Sequence, residues 1–319
     1  MHKALRIILI ILAVLLVLGG AAALFVSAKL NRISYDAPEP AAEHAGQSSE
    51  IPENEKENKQ DNKVITLLLV GSDNRIPFKD DIGRGDCEII CRLNPKLGTV
   101  RLVSIERAVG VPVQSRDGGY DLINHAYRYD GGAVLSQTVG ELFHLDFDGY
   151  VNVDYEAFEA IVNAIGGVDI ELTEIEADAL NGQRLTNAHT QTFVHKGFNH
   201  LDGYDALQYC RLRYTDSDLV RVQRQRKCIE ACMKQVKDLS LIERSNMADE
   251  VLPFVNTNLS KAELTKLLLM SPKFLKNIDI EGITIPENND YTYRPRWDHD
   301  SCWAIDFEKY EKVIKDFIK

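Results

Sequence analysis

Val64-Ile-Thr-Leu-Leu-Leu-Val70, closed by Gly71, is the stretch on which the fold turns. A continuous apolar run of this length, ended by a glycine, reads as a strand buried on both faces. Ile89–Leu93 and Val100–Ile105 read as two more strands, and Asn94-Pro95-Lys96-Leu97-Gly98 between them predicts a hairpin connection. Ala133–Phe143 and Ala157–Ile165 read as helices; Gly166-Gly167 stops the second, and Val168–Leu172 resumes as a strand. Asp202–Tyr209, Leu219–Val236 and Asp306–Ile318 read as further helices. In the last of these, Phe307, Tyr310, Ile314 and Phe317 recur on one helical face. Strands interleaved with helices predict an α/β domain with a central mixed sheet covered on both sides.

The rest of the chain is read outward from that core. Its 319 residues hold 37 Lys and Arg against 48 Asp and Glu, a net charge of −11, with 45% hydrophobic and 27% charged residues. Such a composition supports a sizeable core. The net charge argues against a nucleic-acid partner and requires any anionic ligand to meet a local basic patch. Residues 1–6 form a short basic flank (His2, Lys3, Arg6), and the 22 residues 7–28 carry no charge. A helix of about 20 apolar residues crosses a bilayer, and a cleaved signal peptide has a shorter apolar region of about 7–15. The segment 7–28 is therefore expected to be a transmembrane helix, with the N-terminus in the cytoplasm and the bulk of the chain outside. Residues 29–63 are expected to be a flexible acidic linker, since 35–63 hold eight acids and three lysines among prolines and small residues. That leaves 64–237 as the main domain and 238–319 as an α/β extension packed on it.

Chemistry-bearing residues gather at predicted strand ends. Gly71-Ser72-Asp73-Asn74-Arg75 and Gly83-Arg84-Gly85-Asp86 each set a carboxylate beside an arginine. Ligand sites in open α/β sheets lie outside strand C-termini, and two carboxylates suit a hard divalent cation that also takes phosphate oxygens. Arg107, in Ser104-Ile105-Glu106-Arg107, follows another strand. Residues 211–227 hold six cations (Arg211, Arg213, Arg221, Arg224, Arg226, Lys227) against Asp216 and Asp218. Arg211 and Arg213 share a face if extended, and Arg221 and Gln225 share one if helical. A helix beginning near Asp218 sets these groups at its positive end, where arginine forks and backbone N–H groups suit phosphate oxygens. The pattern favours a diphosphate site over a solvated basic helix face.

In the order and spacing of these motifs, from about Val64 to Lys237, the chain resembles the LytR-CpsA-Psr family. The resemblance also rests on Ile123-Asn124-His125-Ala126-Tyr127, Gly166-Gly167-Val168-Asp169, His195-Lys196-Gly197, His200-Leu201-Asp202-Gly203-Tyr204-Asp205-Ala206-Leu207 and Tyr209-Cys210-Arg211-Leu212-Arg213. It implies an α-β-α sandwich with an apolar groove for a polyprenyl chain. It implies a membrane-anchored, extracytoplasmic, Mg²⁺-dependent phosphotransferase moving a glycopolymer, such as wall teichoic acid or capsule, from an undecaprenyl diphosphate carrier to a peptidoglycan acceptor through a phosphodiester. Carried over, Asp73 and Asp86 match magnesium-associated acids. Arg107, Arg211, Arg213, Arg221 and Gln225 match groups around the diphosphate, with Arg75 and Arg84 in support. Asp73 and Asp218 are both candidates for taking the acceptor proton. Where the family reads Pro-Arg-Asp, this chain has Glu106-Arg107-Ala108. Two other functions use the same arginines: a non-catalytic polyprenyl-diphosphate-binding or regulatory envelope protein, and a lipid-diphosphate diphosphatase.

Cys87/Cys91 and Cys228/Cys232 are C-x₃-C pairs. On a strand the first pair shares a face about 13 Å apart, too far for one metal. Buried thiols, disulfides and zinc all remain open as readings. Trp297, Trp303 and the stretch Tyr291–Arg296 offer aromatics that either pack the C-terminal region or touch glycan.

Overall fold

The computed structural model describes residues 34–35, 64–73, 83–112, 119–187, 193–212, 218–238, 256–260, 263, 279–287, 289–298 and 300–319. The strands are β1 (Ser34–Tyr35), β2 (Ile65–Ser72), β3 (Gly85–Asn94), β4 (Thr99–Ile105), β5 (Gly110–Pro112), β6 (Tyr120–Leu122), β7 (Gly149–Asp154), β8 (Val168–Leu172), β9 (Gly197–Leu201), β10 (Asn256–Thr257), β11 (Asp279–Ile285), β12 (Thr292–Pro295) and β13 (Ser301–Ala304). The helices are α1 (Tyr127–Phe143), α2 (Tyr155–Ala164), α3 (Glu174–Asn187), α4 (Gly203–Arg211), α5 (Asp218–Asp238) and α6 (Phe307–Phe317).

The opening apolar run becomes β2, at the middle of a mixed sheet ordered β1-β10-β7-β2-β3-β4-β11. It pairs antiparallel with β3 and parallel with β7. Its neighbours split their side chains between two layers, as strand alternation requires. Leu68, Val70, Ile90, Val103 and Ile105 pack against Leu135, Val139 and Phe143 of α1 and Tyr310 and Ile314 of α6. Ile89, Cys91, Val100 and Leu102 face Ile229 and Met233 of α5. Covering on both sides is why the run is apolar without interruption; Leu68 is fully buried, and truncating it to alanine is expected to cost about 2–5 kcal/mol.

Helix starts follow local chemistry. Asp154, Asp202 and Asp306 cap α2, α4 and α6 by accepting from the backbone N–H of Ala157, Asp205 and Lys309 at 2.8, 2.9 and 3.0 Å. Gly166 and Gly167, both at positive φ, end the turn after α2. Asp130 and Gly131 interrupt α1 with non-helical backbone, so a separate turn precedes the uninterrupted helix, which starts close to the predicted Ala133.

β7 and β11 have no counterpart in the sequence reading. β7 is short, and its register against β2 is a long-range choice. β11 carries Asp279 and Glu281, charges that suit a sheet edge; Arg101 of β4 meets them at 2.9 and 3.5 Å. The segment 238–319, read as an extension packed on the domain, supplies β10 and β11 to the sheet itself. Within the stretch read as linker, Ser34–Tyr35 pair with β10. The predicted span 7–28 lies outside the described residues, and among the described residues no helix is long and apolar enough to cross a membrane.

Candidate active site

The sheet brings the C-terminal ends of β2, β4 and β7 beside the start of β3. Ser72 pairs with both Gly85 and Asp154, and Glu88 pairs with Ile105. Asp73 and Arg84 then face each other: the Asp73 N–H donates to the Arg84 carbonyl at 3.0 Å, and the Arg84 N–H donates to Asp73 Oδ1 at 2.8 Å. Gly83 makes this possible, because at φ +96° a Cβ there would sit 2.4 Å from the Asp73 carbonyl oxygen. The Arg84 side chain is exposed.

Asp86 is the centre of the predicted set. Arg221 of α5 donates Nη2 to the Asp86 carbonyl at 2.8 Å and lies 3.6 Å from its Oδ1. Gln225, one turn on, donates Nε2 to the same carbonyl at 3.1 Å. Arg107 Nη1 stands 3.8 Å from Asp86 Oδ1. Arg211 reaches the cluster indirectly, its guanidinium 4.7 Å from the centre of the Tyr155 ring. Thus Asp73, Asp86, Arg107, Arg211, Arg221 and Gln225 gather at one end of the sheet, whereas Arg75 and Arg213 lie outside the described residues. Asp218 opens α5.

The sequence reading missed Tyr155. Its hydroxyl donates to Asp86 Oδ2 at 3.0 Å. Burial, then the Asp86 carboxylate, push the phenol up to about 12, with Arg211 opposing, so it stays a donor at neutral pH. The available signal was an apolar alternation, Val151 and Val153, running into the helix-capping Asp154. Glu88 is a second unpredicted group: it is buried, and burial together with Asp86 pushes its carboxyl well above the usual range, with Arg221 opposing.

A cleft of about 240 Å³ opens from this cluster between the sheet and helices α2, α4 and α5. Two of its walls change from polar to apolar. Along α5 the lining runs Arg221, Gln225, Ile229, Met233; along α2 it runs Tyr155, Phe158, Ile161; β2 adds Leu69, Val70 and Gly71. From Arg221 to Met233 is twelve residues of helix, about 18 Å. Cys87, Cys210 and Cys232 belong to the same lining. All six cysteines are free thiols; burial pushes Cys87 up, and Cys232 up to about 12. Among the described residues no group of three or more His, Cys, Asp or Glu converges as a metal site.

The remaining arginines of the basic stretch go elsewhere. Arg224 is buried against Glu176, Nε to Oε1 at 2.7 Å. Arg226 donates to Thr284 Oγ1 at 3.0 Å and lies 3.6 Å from Glu230. His200 and Asp169, both in motifs that carried the resemblance, pair at 2.8 Å across the antiparallel strands β8 and β9.

Known proteins resemble this chain in sequence and fold. The family model described as the LytR_cpsA_psr family matches residues 33–316. The chain is 28% identical over 321 residues to the polyisoprenyl-teichoic acid–peptidoglycan teichoic acid transferase TagT of Bacillus subtilis strain 168, covering 99% of this chain and 94% of that protein. It is 32% identical over 252 residues to the corresponding transferase TagU of Oceanobacillus iheyensis, covering 72% of each. Among solved structures, the LytR-CPS2A-psr family protein YwtF (TagT) with bound octaprenyl pyrophosphate lipid shares the fold, with a TM-score of 0.63 and 22% identity over 90% of this chain and 99% of the other.

Proposed function

The chain belongs to the LytR-CpsA-Psr family, and from that membership together with its cleft we propose that it transfers a glycopolymer of the teichoic acid class from a polyprenyl diphosphate carrier to peptidoglycan. One observation carries the reading: a polar cluster at Asp86, Arg107, Arg211, Arg221 and Gln225 opens into a cleft that turns apolar along α5 and α2. A ligand suited to it has an anionic head and a long hydrocarbon tail. A polyprenyl diphosphate has both, and the row along α5, about 18 Å from Arg221 to Met233, takes the head at its polar end and the first isoprene units at Ile229 and Met233.

In this reading Arg221 and Gln225 hold the carrier-side phosphate, with Arg107 on the sugar side. An acceptor hydroxyl gives its proton to a carboxylate, Asp73 or Asp218, and attacks the sugar-proximal phosphorus; the bond from that phosphorus to the bridging oxygen breaks, and polyprenyl phosphate leaves along the cleft. Arginine forks offset charge on the non-bridging oxygens as it builds. Tyr155 orients the Asp86 carboxylate. Asp73 and Asp86, 7% and 9% exposed and both acting on the Tyr155 phenol, would hold Mg²⁺, which takes one or two carboxylates and completes its shell with substrate phosphate and water. When bound, that ion supplies further neutralisation of the phosphate oxygens. The undecaprenyl carrier and an extracytoplasmic site tethered by the segment 7–28 complete the proposal.

The test is incubation of the full chain with a lipid-linked glycan diphosphate, Mg²⁺ and a peptidoglycan oligomer, with products identified by mass spectrometry. A phosphodiester-linked conjugate is expected, and EDTA should suppress it. Free glycan phosphate without conjugate would make the protein a diphosphatase, and ligand binding without any product would make it a binding protein.

A further inference from the structure

The hairpin β12–β13 carries aromatic rings that the core does not consume. Tyr293 and Trp303 are cross-strand partners. Tyr291 stacks on Trp303, with centroids 3.8 Å apart and planes 5° apart, and meets Tyr293 edge-on at 5.8 Å and 88°. Tyr293 is 71% exposed. The result is a right-angled corner of two phenol rings backed by an indole.

This corner is held firmly. The Trp303 N–H donates to the Ala108 carbonyl at 2.8 Å, and the Trp297 N–H donates to the Tyr120 carbonyl at 3.1 Å. Beneath it the buried Asp121 accepts from Trp297 Nε1 at 3.0 Å and lies 3.3 Å from Arg296 Nε. Arg294 covers the Tyr120 ring at 4.1 Å. Gly110 admits the close approach, since a Cβ there would fall 2.3 Å from Cys302 Sγ. A stiff, exposed aromatic surface loses little freedom when a ligand stacks on it. Trp297, one of the aromatics singled out in the sequence, thus serves as a fastening.

The corner also adjoins the anion-handling cluster. Ala108, which holds the Trp303 backbone, is the residue after Arg107, and Arg107 faces Asp86 at 3.8 Å. Glu106, the residue before it, helps push the Tyr291 phenol up, after burial and the Tyr293 hydroxyl. Glu106 acts on the Tyr291 phenol as a nearby negative charge, so an uncharged ring suits the corner better than another phosphate. A pyranose has an apolar C–H face to lay on a phenol and hydroxyls for the two phenol oxygens.

Resting on the transfer reading above, we propose that the Tyr291–Tyr293–Trp303 corner binds the carrier-proximal sugar of the donor. That sugar is bonded directly to the phosphorus beside Arg107, so it is the group a bound donor presents just beyond the arginine. A corner of two rings matches one or two sugars.

The experiment compares two probes on the full chain: octaprenyl diphosphate, and octaprenyl diphosphate bearing one N-acetylglucosamine. The wild type should bind the sugar-bearing probe more tightly. Tyr293→Ala should weaken that probe by about five- to tenfold and leave the sugar-free probe unchanged, while Tyr293→Phe should retain most of the affinity. Equal losses on both probes, or no loss on either, would overturn the proposal. So would unchanged donor affinity with a raised KM for the peptidoglycan oligomer, which would make the corner an acceptor platform. If the wild type failed to bind octaprenyl diphosphate at all, the transfer reading would fall first, and this with it.

Discussion

Arg221 and Arg224 stand less than one turn apart on α5, both buried, and they are put to different uses. Arg224 closes a pair inside the protein: its Nε meets Glu176 at 2.7 Å, and the other Glu176 oxygen accepts from the Thr173 N–H and hydroxyl at 2.9 and 3.0 Å. Arg221 is turned toward the sheet, where it and Arg107 stand 3.6 and 3.8 Å from one carboxylate oxygen of Asp86, beside an apolar cleft. Those separations exceed a direct N–H···O contact of about 2.7–3.2 Å. Arg221 also donates to the Asp86 carbonyl at 2.8 Å, so it is held at the cleft by backbone rather than by a tight carboxylate pair. The difference separates the fastening of α5 to α3 from the charges that the proposed transfer assigns to an incoming anion.

The sharpest way to break this comparison is to truncate the fastening. Arg224→Ala strands a buried carboxylate and should cost about 3–5 kcal/mol of stability, read by denaturant unfolding, with turnover per folded molecule nearly unchanged. Replacing the pair together, Arg224→Met with Glu176→Leu, should recover most of the loss. A large fall in turnover at wild-type stability would place Arg224 in the site instead.

Arg221→Lys should behave in the opposite manner. Charge is kept but the fork is lost, so turnover should fall about 100-fold, roughly 2.7 kcal/mol in the barrier, while the melting temperature moves by only a few degrees. If melting collapses as it does for Arg224→Ala, the two arginines are alike and the distinction fails.

How much of this was legible in the sequence follows from the range of each signal. The strands β2, β3, β4 and β8 and the helix α5 announce themselves through local pattern and turn residues. So does the Arg221/Gln225 pair, because i, i+4 spacing fixes a shared helical face. Arg224 cannot be told from Arg221 in a cation count, since its partner Glu176 lies 48 residues away. Tyr155 stayed hidden for the same reason: its bond to Asp86 spans 69 residues and depends on β7 docking parallel to β2. The family motifs mark both kinds of residue alike, which is why His200 and Asp169 belong to them yet pair with each other across β8 and β9 and do not line the cleft.

A pH measurement sharpens the structural side. Burial alone would raise the Glu176 carboxyl, but hydrogen bonds from Thr173 and Arg224 outweigh it and hold the group below its usual 4.5. Its folded value is depressed, so its stabilising contribution is present above the unfolded value and is lost as pH falls through the folded one. The melting temperature of the wild type should therefore decline below about pH 4.5, and Glu176→Gln should flatten that part of the curve. An unchanged acid limb in the variant would show that other carboxylates govern it.

The smallest expected effect concerns Tyr155, where the two functions of one side chain can be separated. Its hydroxyl holds Asp86 Oδ2 at 3.0 Å, and its ring carries the Arg211 guanidinium at 4.7 Å. Tyr155→Phe removes the first and keeps the second. A hydrogen bond to a charged acceptor contributes about 1.5–3 kcal/mol, but the arginines continue to orient Asp86, so turnover should fall only about five- to tenfold. Because the phenol is pushed up to about 12, the hydroxyl is protonated across the neutral range, and the ratio of variant to wild-type turnover should stay flat from about pH 6 to 9. Tyr155→Leu removes the ring as well and should lose a further factor of about two to five, the size of an exposed cation–π contact. If the Phe variant is fully active and the Leu variant is not, Tyr155 serves Arg211 alone. If both retain wild-type turnover, the Asp86 carboxylate does not need orienting, and the cluster at the cleft mouth resembles the closed pair at Arg224 more than the comparison allows.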